Sequence, residues 1–137
     1  MKKFSKILVI SLLLASMILL LASCHLNKDP DKIVKFLDKK GYDSEFQTFD
    51  TSILDGAIES DDVEWMLVSM AENQNITSVG LLFLCKDKDA AKDVADAVEN
   101  YFEQFEQSFK DEDVDFVVEQ KGKYAFWGTE DLWELLK

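Results

Sequence analysis

The chain has 137 residues, with 15 Lys, no Arg, 27 acids and one His, for a net charge of −12. So acidic a surface repels nucleic acid, and the lack of Arg removes the usual bidentate grip on phosphate or carboxylate. The missing Arg also fits an AT-rich genome, as in low-GC Gram-positive bacteria.

Met1-Lys2-Lys3-Phe4-Ser5-Lys6 is a short basic segment. Residues 7–22 are apolar apart from Ser11 and Ser16, and no acid precedes Asp29. A positive segment followed by an apolar run has the form of a secretory signal, with the lysines held on the cytoplasmic side. The apolar run is shorter than the ~20 residues a spanning helix needs. It leads into Leu21-Ala22-Ser23-Cys24. This resembles the lipobox of bacterial lipoproteins: Leu at the third position before Cys, two small residues, then Cys. The resemblance covers only the first 24 residues. It implies a diacylglyceryl group on the Cys24 thiol and cleavage by signal peptidase II between Ser23 and Cys24. Two or three acyl chains, such as palmitate, anchor stably where one does not. The competing readings are an uncleaved span and an ordinary signal peptide whose Cys is accidental.

The expected organisation is a signal peptide over 1–23, a lipidated tether over 24–29 and one acidic α+β domain over 30–137. The mature chain carries 12 Lys against 27 acids, a net charge of −15. That charge is expected to hold the domain off anionic headgroups and to favour a monomer. With Cys24 lipidated, Cys85 stands alone, so no internal disulfide is available and the fold rests on its core.

Asp29-Pro30 reads as N-cap and first position of a helix over 30–40, with Ile33, Val34, Phe36 and Leu37 on one face and Gly41 as its stop. A short strand is expected over 44–49, anchored by Phe46. The stretch 51–62 reads either as a short helix capped by Thr51 or as a hairpin turning at Asp55-Gly56. Residues 63–72 alternate as a strand, with Val63, Trp65 and Leu67 on one side. Asn73-Gln74-Asn75 is a turn, and 76–86 is a nearly continuous apolar run that reads as a buried central strand. The strongest helix spans 88–110, with Ala91, Val94, Val98, Phe102, Phe105 and Phe109 at helical spacing. An acidic loop at 111–113 leads to a strand over 114–120. A turn at Lys121-Gly122 and a partner strand over 123–127 follow. Thr129 caps a terminal helix with Leu132, Leu135 and Leu136 facing in. The expected fold is α+β, a single antiparallel sheet of about four to five strands, with the long helix and shorter terminal helices packed mainly on one face.

The residues offer little for catalysis. His25, the one His, adjoins the lipidation site, so Ser and Cys nucleophiles have no His base within the domain. Cys85 is flanked by Lys86 and Lys88, which would favour a thiolate, but it ends a buried run and reads as a small core residue. One His and one unlipidated Cys make a poor transition-metal set. Acids 111, 113 and 115 match the start of an EF-hand loop, but Phe116 and Gly122 replace its Gly and Glu. Asp61, Asp62 and Glu64 form a second acidic cluster without an evident partner. No catalytic, metal or cofactor residue is therefore expected. Trp127 and Trp133, near element ends, are the candidates for a ligand or partner surface, though their spacing also suits a core.

The reading that follows is a membrane-anchored extracytoplasmic lipoprotein with a non-enzymatic binding domain for an envelope protein or small ligand. The alternatives are a carboxylate-dependent envelope hydrolase, using Asp61, Asp62, Glu64 or the 111–115 acids, and an accessory subunit of a membrane complex.

Overall fold

The computed structural model describes residues 25–47, 58–71, 78–110 and 112–137. The expected signal segment, Ser23, Cys24, the helix-or-hairpin stretch up to residue 57, the expected turn at Asn73-Gln74-Asn75 and Asp111 lie outside the described residues.

Helix α1 (Pro30–Lys39) starts where the sequence signals it. Asp29 is extended, and its side chain accepts from the Asp31 N–H. The helix stops at Gly41, whose φ of +87° suits a residue without Cβ. Ile33 and Leu37, one turn apart, are fully buried. Strand β1 (Tyr42–Gln47) begins two residues earlier than expected. Tyr42 is its core residue, and the expected anchor Phe46 is 43% exposed. A 3₁₀ turn (Ser60–Asp62) precedes β2 (Val63–Ala71), followed by β3 (Val79–Cys85).

Helix α2 (Lys88–Gln107) is 20 residues long, and Asp87 caps it by accepting from the Ala90 N–H at 2.7 Å. Strands β4 (Phe116–Lys121) and β5 (Tyr124–Thr129) form a hairpin turning at Gly122, whose φ is +58°. Helix α3 (Glu130–Leu136) ends the chain.

The five strands make one antiparallel sheet in the order β1-β2-β3-β5-β4. The fold is thus α+β, as the sequence implies. The placement of the helices differs from expectation, because they cover both faces. On one face Met66, Phe83, Cys85, Ala125 and Trp127 pack with Ala90, Ala91, Val94 and Val98 of α2. On the other, Leu67, Leu82, Leu84 and Phe126 pack with α1 and with Leu132, Trp133 and Leu136 of α3. The reason lies in β3: its run of Leu81-Leu82-Phe83-Leu84-Cys85 is apolar on both sides, and a strand apolar on both sides needs two covers.

The alternation expected along β2 breaks at its start. The register with β3 slips between Val63 and Trp65. Two residues of β2 there face one of β3, a bulge that turns Val63 to the α2 side while Trp65 stays on the α1 side.

The segment before α1 is not a free tether. The His25 N–H donates to the Leu136 carbonyl at 2.9 Å. Leu26 packs on the α1-side core, and the Trp65 indole N–H donates to the Lys28 carbonyl at 3.2 Å. The expected boundary at residue 30 is corrected: the fold includes residue 25, the first after Cys24.

Candidate functional site

Neither Trp127 nor Trp133 offers a surface. They are 3% and 6% exposed. Trp127 is sandwiched between Phe102 of α2, at 4.0 Å between ring centroids, and Phe116 of β4, at 5.3 Å, with both pairs nearly parallel. Its indole N–H donates to Glu106 Oε1 at 2.9 Å, which ties β5 to the C-terminal half of α2. Trp133 stacks on Phe126 in the other core, at 5.1 Å. Their place as candidate contact residues is therefore withdrawn. The buried indole of Trp127 needed a partner, and Glu106 supplies it; only tertiary contact reveals that role.

Cys85 is fully buried, in the core beneath α2. Burial pushes its thiol from 9.0 up to about 12, and the carboxylates of Asp62, Asp87 and Glu64 add to the shift. Lys86 does not counter this, because its Nζ pairs with Asp62 Oδ1 at 2.9 Å. That hydrogen bond raises the Lys86 pKa, with the charge of Asp62 assisting. The neighbourhood of Cys85 is thus set against a thiolate.

The acidic cluster divides. Asp61 and Glu64 are exposed, whereas Asp62 is mostly buried and held by Lys86. Asp62 lines a hollow of about 250 Å³ with Ile58, Glu59 and Asp93. The 112–115 acids border a larger cleft, about 570 Å³, between the end of α2 and the start of β4. Glu103, Glu106, Glu112, Asp113 and Asp115 line it over a wall of Phe109 and Phe116, and Lys110 is the cation among the lining residues. The C-terminal carbonyls of α2 add partial negative charge to the same place. Such a cleft attracts cations and rejects anions. No group of three potential ligands close enough to hold a metal occurs among the described residues.

The third place of interest is the segment that adjoins Cys24. The His25 imidazole lies flat on Phe36 of α1, with centroids 3.7 Å apart and planes 7° from parallel. The Lys40 ammonium stands 5.9 Å from the same Phe36 ring. A cation near an aromatic face is attracted by the ring quadrupole. His25 sits on the α1 side of the sheet and Cys85 on the α2 side, so the sheet separates the chain's one imidazole from its buried thiol. A hollow of about 250 Å³ next to this segment is lined by Leu26, Leu84, Tyr124, Lys28, Lys121 and Lys123.

No helix among the described residues is long and apolar enough to cross a membrane. In comparisons with known proteins, no family model, curated protein or solved structure matches the chain.

Proposed function

We propose that the protein is a lipoprotein, held at the extracytoplasmic face of the cell membrane by lipid on Cys24. Its acidic domain acts there as a monomeric, non-enzymatic binding module. The observation that carries this reading is the continuity between lipobox and fold. Leu21-Ala22-Ser23-Cys24 runs directly into His25, whose backbone is already hydrogen-bonded to the last helix. Cleavage at Cys24 leaves every described element in place and gives the domain an anchor at its own surface.

Binding is favoured over catalysis by how the reactive side chains are used. His25 is stacked against Phe36, and Cys85 is buried as a neutral thiol. The cleft of about 570 Å³ has room for a small ligand or a partner's side chains, and its carboxylates select for positive charge.

Intact-mass measurement of the protein extracted from membranes tests the anchor. The expected product starts at Cys24 and carries diacylglyceryl mass, and a Cys24→Ala variant remains uncleaved. A Cys24 start without lipid, or normal processing of that variant, overturns the anchor. Hydrolysis of an envelope substrate that is lost in Asp62→Asn would overturn the non-enzymatic reading. Recovery of one reproducible membrane complex with the lipidated protein would move it toward an accessory subunit.

A further inference from the structure

We infer that the exposed face of α1 is a membrane-apposed surface that engages anionic phospholipid headgroups and so orients the domain; this rests on the lipid anchor proposed above. The first argument is the distribution of charge. Residues 25–40 hold five Lys against three Asp, whereas residues 41–137 hold seven Lys against 24 acids. The element next to the lipidation site is therefore locally basic in an otherwise acidic domain.

The second argument is helical phase. Ile33 and Leu37 define the buried side of α1. At ~100° per residue, Lys32, Lys35 and Lys39 fall within about 60° of one another on the opposite side. All three are exposed, as is Lys28 just before the helix. Phe36 borders this stripe, and His25 is stacked on Phe36. Residue 24 is joined to His25 and so lies about 3.8 Å from it between Cα atoms. With His25 docked and no loose spacer beyond it, lipid on Cys24 brings the bilayer beside the stripe. Lys28 also borders the apolar hollow with Lys121 and Lys123, so positive charge continues toward the β4–β5 turn.

The remaining acids do not cancel this. Asp31 and Asp38 flank the stripe, and on the same side of the sheet α3 exposes Glu130, Asp131 and Glu134 and β4 exposes Glu119. Glu134 is paired with Lys137 at 2.7 Å. The contact is therefore tilted toward α1 and away from α3. Acids on the α2 side lie across the sheet, and packed layers stand about 10 Å apart, more than a Debye length of about 8 Å at physiological salt.

The test uses the full lipidated protein, inserted from outside into preformed vesicles of phosphatidylglycerol or of phosphatidylcholine. Each lysine is then acetylated by a membrane-impermeant reagent and quantified by mass spectrometry. Lys32, Lys35 and Lys39 are expected to react about fivefold more slowly on phosphatidylglycerol, the scale set by lysines near an anionic surface. Lys92, on α2, and Lys110, just beyond its end, should react equally on both. In a Lys35→Glu, Lys39→Glu variant, exposed positions that do not challenge folding, the slowing at Lys32 should disappear. Equal rates at the α1 lysines on both vesicles, with the protein floating with each, would overturn the membrane face alone. Protein that floats with neither vesicle would overturn the anchor and the membrane face together.

Discussion

Cys85 shows how burial decides the chemistry of one side chain. Its thiol pKa rises from 9.0 to about 12 in the fold. The folded state then keeps a proton that the unfolded state releases. Stability from this group is complete below pH 9.0 and falls as pH rises toward 12. The slope is about 1.4 kcal/mol per pH unit. Denaturant titrations between these pH values should show that loss in the wild type and a shallower one in Cys85→Ala; parallel profiles would contradict a buried neutral thiol. Maleimide should label Cys85 slowly in native protein and rapidly after unfolding.

The tryptophans make the same point. Trp65, Trp127 and Trp133 are all buried, so native fluorescence should be blue-shifted and poorly quenched by iodide. Strong quenching before unfolding would place at least one indole at the surface. Their burial was only half legible in the sequence. The spacing suits a core, but the rings that stack on Trp127 come from other elements, Phe116 of β4 and Phe102 of α2.

Among the elements, β3, β5 and α3 meet closely at two glycines. Gly80 pairs with Gly128 across the ladder. A Cβ on Gly128 would lie 2.5 Å from both Gly80 Cα and Val79 O, which are backbone atoms. A Cβ on Gly80 would meet the side chains of Leu132 and Phe126 at 2.8 Å. Side chains can shift where backbone cannot. Gly128→Ala should therefore cost more stability than Gly80→Ala, each within or above the ~1–3 kcal/mol of core overpacking. Chemical denaturation of the two variants checks the order. Beside them, the buried Thr129 hydroxyl accepts from the Val79 N–H at 3.2 Å and donates to the Val79 carbonyl at 3.3 Å. This replaces the expected helix-capping use of Thr129, whose side chain makes no cap bond. Thr129→Val keeps the shape and removes both hydroxyl bonds to the backbone groups of Val79, at a cost of about 1–3 kcal/mol. An unchanged denaturation midpoint would show that those groups find other partners.

For the whole molecule, charge is the dominant feature. The chain from residue 25 onward carries −15, and like charges oppose compactness. Adding monovalent salt from low ionic strength to about 0.3 M shortens the Debye length to roughly 6 Å. The melting temperature should rise with it, and a salt-independent Tm would mean that the charges are already well separated. Overall charge taken alone predicts a domain held away from anionic lipid. Net charge is a sum, and it conceals where the lysines lie. The stripe of Lys32, Lys35 and Lys39 is visible in the spacing, but its relation to Cys24 is not. That relation requires the contacts of His25 with Leu136 and Phe36.

The sequence by itself determined the local features: the cap at Asp29, the turn at Gly122, the amphipathic α2 and the apolar run of β3. Each depends on residues within a few positions of one another, so spacing and side-chain chemistry suffice to read it. Only the tertiary structure decided that helices cover both faces, that both candidate tryptophans are core and that the fold reaches back to His25. These outcomes depend on which distant surfaces meet, and burial favours any apolar pairing that excludes water. Local periodicity can show that β3 needs two covers, but not which helix supplies each.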